Sequence, residues 1–180
     1  MTLQRREFFA ILGVCAASAP GLFAAPDFAG YRPQALTQAE YDLLDALAET
    51  LLPTDETGPG AHDAHVAYYI DVVLKHGATE KVQSWRNGLG GVEGLAQGRF
   101  QHSFTACSGP QREELMVELA KGESAPQTEL DRFFLEFKKT AIDAFYASAL
   151  IQREHLGYTG NTAVMEFAGC THPDFEHQGI

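Results

Sequence analysis

Two small sets of residues have types and spacings that chemistry could use. His62 and His65 stand three apart beside Asp63, near the start of a helical stretch. That spacing puts two imidazoles on one helix face, as a pair of metal ligands requires. Polar residues at a solvated helix start use the same letters. Cys170, His172 and His177 form a second Cys/His set, and a tail anchored on another surface would use them equally well. Either set defines an alternative expectation, a self-sufficient metal-binding protein or enzyme. Asp55 and Glu56 are read as loop solvation.

Most other catalytic kits are missing. No Gly-x-Gly-x-x-Gly follows a strand, and Gly88-Leu89-Gly90-Gly91 lies in helical context. There is no P-loop, no Cys-x-x-Cys-His for haem, no cysteine cluster for iron–sulfur and no Gly-x-Ser-x-Gly. The sequence therefore predicts no catalytic residue, no cofactor site and no metal site in this chain.

The elements that would carry these residues are all helical. Thr37-Gln38-Ala39-Glu40 is a capping box, followed by Tyr41, Leu44, Leu47, Ala48, Leu51 and Leu52 on one face, with Pro53 as the stop. The loop 53–60, PTDETGPG, has no periodicity. A second helix is expected from about Ala61 to Lys75, with Val66, Tyr69, Ile70, Val73 and Leu74 inward. A third starts at Thr79 and carries Val82 and Trp85. Five glycines lie between Asn87 and Gly98, each costing about 1 kcal/mol in a helix interior. That helix is therefore either broken or packed too closely for side chains. Ser108-Gly109-Pro110-Gln111 caps a fourth helix holding Leu115, Met116, Leu119 and Ala120.

Thr128 caps the last helix, with Asp131 three places on. Leu130, Phe133, Phe134, Phe137, Ala141, Ala144, Phe145, Ser148 and Ile151 recur at steps of three and four. Each buried ring contributes roughly 2 kcal/mol or more, enough to seat the helix as core or interface. Gly157 is placed to terminate it, and an irregular tail follows. No alternating run calls for a strand. The reading is an all-α single domain of five or six helices, the last being the longest.

Size and charge narrow the partners. A chain of 180 residues buries a real core. The net charge of −11, with no basic run beyond the first residues, excludes nucleic acid as a partner, because phosphate neutralisation needs a basic patch. The first 25 residues read as a signal peptide: Arg5 and Arg6, then Phe8, then an apolar run to Ala19. The paired arginines and Phe8 resemble the twin-arginine export signal, with Gln4 and Ala10 departing from it. Residues 26–36 read as a linker and 37–180 as the domain. Export implies the periplasm, with membrane association through a complex or through an uncleaved signal. Cys107 and Cys170 remain after the signal and could pair with each other or with another chain.

Several stretches together carry a family resemblance. They are the twin-arginine start, Leu51-Leu52-Pro53-Thr54-Asp55 with its Gly-Pro-Gly loop, and Phe134 to Lys138. Further along come Ile142-Asp143-Ala144-Phe145-Tyr146, Glu154-His155-Leu156-Gly157-Tyr158-Thr159-Gly160-Asn161-Thr162, and Gly169-Cys170-Thr171-His172-Pro173. This pattern resembles the small subunit (subunit 3, gamma chain) of gluconate 2-dehydrogenase. The resemblance implies a non-catalytic subunit that assembles and escorts a large flavoprotein of the glucose–methanol–choline oxidoreductase type. In such complexes FAD sits in the large subunit, and electrons pass to a cytochrome c subunit with haem c. The twin-arginine translocase is the partner during export. On that footing Tyr158, Gly160, Asn161, Thr162, Cys170, His172 and Pro173 are expected to line the partner interface, and Cys170 could cross-link to the large subunit or to Cys107.

Overall fold

Local capping chemistry starts three of the helices where the sequence places them. In the computed structural model, which describes residues 28 and 30–158, α1 spans Gln38–Leu51. Thr37 and Glu40 satisfy each other's amides in a full capping box there. The same reciprocal pair, Ser108 with Gln111, opens α4 (Gly109–Ala120), with a proline in its first turn. Thr128 with Asp131 opens α5 (Glu129–Ala147). Between them lie α2 (Val66–Lys75), α3 (Thr79–Phe100) and a 3₁₀ turn at Phe104–Ala106. Among the described residues there is no strand, and the fold is all-α.

The glycine-rich third helix is unbroken and, at 22 residues, the longest among the described elements. α5, expected to be longest, has 19. Close packing accounts for part of the glycine content. A Cβ on Gly88 would lie 2.1 Å from the Phe133 ring, and one on Gly91 would lie 3.0 Å from Leu130 Cδ1. Gly90, Gly94 and Gly98 face open space, and nothing in the structure explains them.

The core sits where α5 packs against α2, α3 and α4. Phe133, Phe134, Phe137, Ala141 and Ala144 are buried, as their spacing requires. Trp85 of α3 meets Phe133 edge-on at 5.5 Å. Its indole N–H donates to Glu136 Oε1 at 2.7 Å, so the buried ring leaves no polar group unsatisfied.

Two expectations about helix limits and faces are corrected. α2 begins at Val66, because Ala61–Ala64 form a turn and His65, at φ 55°, is in the left-handed region. Its buried face is Val66, Ala67, Ile70, Asp71 and Leu74, while Tyr69 and Val73 point outward. α5 stops at Ala147. Ser148 takes an extended ψ of 143° and its hydroxyl accepts from the Ile151 amide, so it ends one helix and caps the next turn. A π-helical turn, Leu150–His155, follows and is fixed by buried Ile151.

Part of the segment read as a linker is pinned to the core. Asp71, fully buried, accepts from the amides of Gln34 (2.7 Å), Ala35 (3.1 Å) and Leu36 (2.9 Å) and from the Tyr31 hydroxyl (2.5 Å). Four donors compensate the desolvation of that carboxylate. Arg86 adds a bond to the Ala35 carbonyl at 2.7 Å.

Candidate partner-docking surface

The loop 53–60 between α1 and α2 is ordered by two carboxylates. Glu49 accepts from the Thr54 amide through Oε1 and from the His62 amide through Oε2, both at 2.8 Å, closing the loop at its neck. Gly60 is required there, since a Cβ would lie 2.3 Å from the Thr54 backbone nitrogen. At the tip, Asp55 takes bonds from the Thr57 hydroxyl (2.5 Å) and amide (2.7 Å), and its backbone exchanges bonds with Gly58. Those bonds, the hydroxyl's first, hold the Asp55 carboxyl below the usual range. Asp55 therefore builds the loop, a role that its reading as loop solvation missed.

The two histidines of the candidate metal pair do not converge. His62 Nδ1 lies 2.7 Å from Asp45 Oδ2 of α1, and this hydrogen bond raises its pKa. His65 stacks on Phe28, with centroids 3.7 Å apart. Burial, then the nearby His62, lowers its pKa. Each ring is thus committed to a different partner, and His65 takes the left-handed backbone conformation just before α2. Among the described residues no group of three His, Cys, Asp or Glu side chains could hold a metal ion. Cys170, His172 and His177 lie outside the described residues.

The loop tip meets the far end of the chain. The His155 ring lies over Gly58, where a Cβ would be 2.6 Å from Cε1. Two sequence stretches about a hundred residues apart, the Pro-rich loop and the segment from Glu154 to Tyr158, thereby come together. The π-turn closes with Leu156 N–H to Ile151 O at 2.8 Å. Gly157, at φ 66°, then reverses the chain, and Tyr158 N–H donates to Gln152 O at 2.7 Å. Gly157 thus ends a π-turn rather than the long helix.

Beside this turn runs a groove of about 400 Å³ between the start of α2 and the end of α5. Phe28, Tyr68, Tyr69, Ala147, Leu150 and Arg153 are among its lining residues. Phe28, Tyr69, Tyr146, Leu156 and Tyr158 are exposed large apolar or aromatic side chains, with Leu156 at 58%. The tyrosines among them are of the type enriched in interface hot spots.

Of the expected interface residues, Tyr158 is exposed beside the π-turn. Gly160, Asn161, Thr162, Cys170, His172 and Pro173 lie outside the described residues, as do Arg5, Arg6 and Phe8. Cys107 is buried after the 3₁₀ turn, where desolvation raises its thiol pKa. Its pairing with Cys170 lies beyond the described residues.

Sequence reasoning missed Asp71, whose position on the apolar register of α2 was the available signal. It also missed Glu49, which no periodicity marks. No described helix is long and apolar enough to cross a membrane. No curated protein and no solved structure matches the chain. The family described as gluconate 2-dehydrogenase subunit 3 matches residues 38–162, which takes in every helix from α1 to α5, the loop 53–60 and the π-turn. The chain belongs to the gluconate 2-dehydrogenase subunit 3 family.

Proposed function

We propose that this chain is the non-catalytic small subunit of a periplasmic, membrane-associated dehydrogenase that oxidises a sugar or sugar acid. In this reading FAD is carried by a large flavoprotein of the glucose–methanol–choline oxidoreductase type, and haem c by a cytochrome subunit that accepts the electrons. The small subunit holds the flavoprotein and escorts it through the twin-arginine translocase. The family match over residues 38–162 is the observation that carries the reading.

The surface chemistry supports it. Tyr158, Leu156 and Tyr146 offer apolar area around the π-turn, and Gly160, Asn161, Thr162, Cys170, His172 and Pro173 follow in the sequence. Aromatic side chains lose little conformational entropy on docking for the area they bury. The test is deletion of this gene, with flavoprotein activity assayed separately in periplasm and cytosol. Loss of periplasmic activity is expected. Periplasmic activity equal to wild type overturns the escort role.

A further inference from the structure

We propose that the loop 53–60 is a template that sets the course of the chain from His155 to Tyr158, with Gly58 as the seat for the His155 ring. Three observations carry this. The ring approaches Gly58 so closely that a Cβ would stand 2.6 Å from Cε1, 3.1 Å from Nε2 and 3.2 Å from Nδ1. Gly58 has no positive φ, so its backbone is open to any residue, and what a Cβ there would meet is the His155 ring. The loop is itself held rigidly, by Glu49 at the neck and by the Asp55–Thr57 bonds at the tip.

The contact acts on a short lever. His155 is the last residue of the π-turn, and the two backbone bonds from Leu156 and Tyr158 follow it at once. π-turns are uncommon and gather at functional sites. Here the turn places an exposed imidazole on a glycine of a distant loop. His155 is a positioning residue in this scheme, and the loop acts through it without needing to touch a partner.

The decisive variants are Gly58→Ala, His155→Ala and the double substitution, made in the full chain. Because the ring is the mobile end of an exposed side chain, Gly58→Ala is expected to displace it without moving the urea midpoint. Wild type should show a nuclear Overhauser contact between Gly58 Hα and His155 Hε1, absent in Gly58→Ala. Exchange at the Leu156 and Tyr158 amides should rise about threefold in each single variant, the scale of one lost ring contact. The double variant should show no further rise, since both changes remove one interaction. Absence of the contact in wild type, unchanged amides in the single variants, or additive rises in the double variant would overturn the proposal.

A second arm rests on the docking reading and fails separately. Capture of the flavoprotein subunit by the full chain should weaken about threefold in Gly58→Ala. Faster amides with undiminished capture would keep the template and count against docking at this end.

Discussion

Gly88 of α3 lies directly beneath the ring of Phe133 of α5, so close that the smallest side chain would overlap it at 2.1 Å. This one approach lets a helix and an aromatic stripe 45 residues apart share the centre of the core. Phe133 is also met edge-on by the buried Trp85 ring, which limits how far it can yield on that side. Gly88→Ala is accordingly expected to destabilise the fold by about 1–3 kcal/mol through overpacking. Gly94, on the same helix, faces open space, and Gly94→Ala should stabilise by about 1 kcal/mol. Paired urea titrations check both signs. A Gly88→Ala midpoint equal to wild type would show that the ring moves freely.

Asp71 holds residues 34–36 against α2 through three amides. Asp71→Ala leaves those amides without their acceptor in a buried site, a loss of about 3 kcal/mol or more. Amide exchange at Gln34, Ala35 and Leu36 should accelerate far more than exchange within α5. Uniform acceleration everywhere would mean that the whole domain unfolds instead.

His62 and His65 predict pH slopes of opposite sign. The hydrogen bond to Asp45 raises the folded pKa of His62. Its contribution is therefore complete below the unfolded value, about 6.5, and is lost as pH rises through the higher folded value. Burial lowers the folded pKa of His65, so its contribution is present above about 6.5 and is lost as pH falls through the lower folded value. With 68% of the His62 side chain exposed, its share stays below about 1 kcal/mol. In His62→Gln the His65 slope should stand alone, with stability rising with pH across this window. Urea midpoints between pH 5 and 8 measure it, and a midpoint that falls with pH in that variant contradicts the assignment.

Glu49→Ala frees the Thr54 and His62 amides together, and the loop neck should open at a cost of about 1 kcal/mol for these solvent-accessible bonds. Gly60→Ala strikes backbone rather than side chain at the same neck and should cost more. Exchange of the two amides, with circular dichroism showing the helices intact, distinguishes loop opening from unfolding.

The parts of this fold legible in the sequence are those whose cause is local. Thr37 with Glu40, Ser108 with Gln111 and Thr128 with Asp131 act over three residues, so the letters alone locate three helix starts. The Phe133–Phe137–Ala141–Ala144 stripe likewise needs nothing beyond its period. Asp71 is different, because its partners lie some 35 residues away and only the folded strap turns a charge on an apolar face into an anchor. The continuity of α3 depends on Phe133, which no window around Gly88 contains. Ser148 was legible as a small residue on the inward face, but its choice of capping over continuing depends on backbone geometry. Near the π-turn, the family pattern singles out Tyr158, which is exposed, whereas the meeting of Gly58 and His155 has no sequence signal.

The groove lined by Phe28 and Arg153 has a practical consequence for anyone labelling this protein. Phe28 and the π-turn border the same cleft, so a fluorophore attached at either position stands beside it. α5 is about 28 Å long, at 1.5 Å per residue over its 19 residues, and the turn before it lies at the opposite end. A reporter inserted between Ala125 and Pro126 spares the Glu123–Lys138 ion pair and the Thr128 cap. Such a handle tethers the subunit with its cleft facing solution.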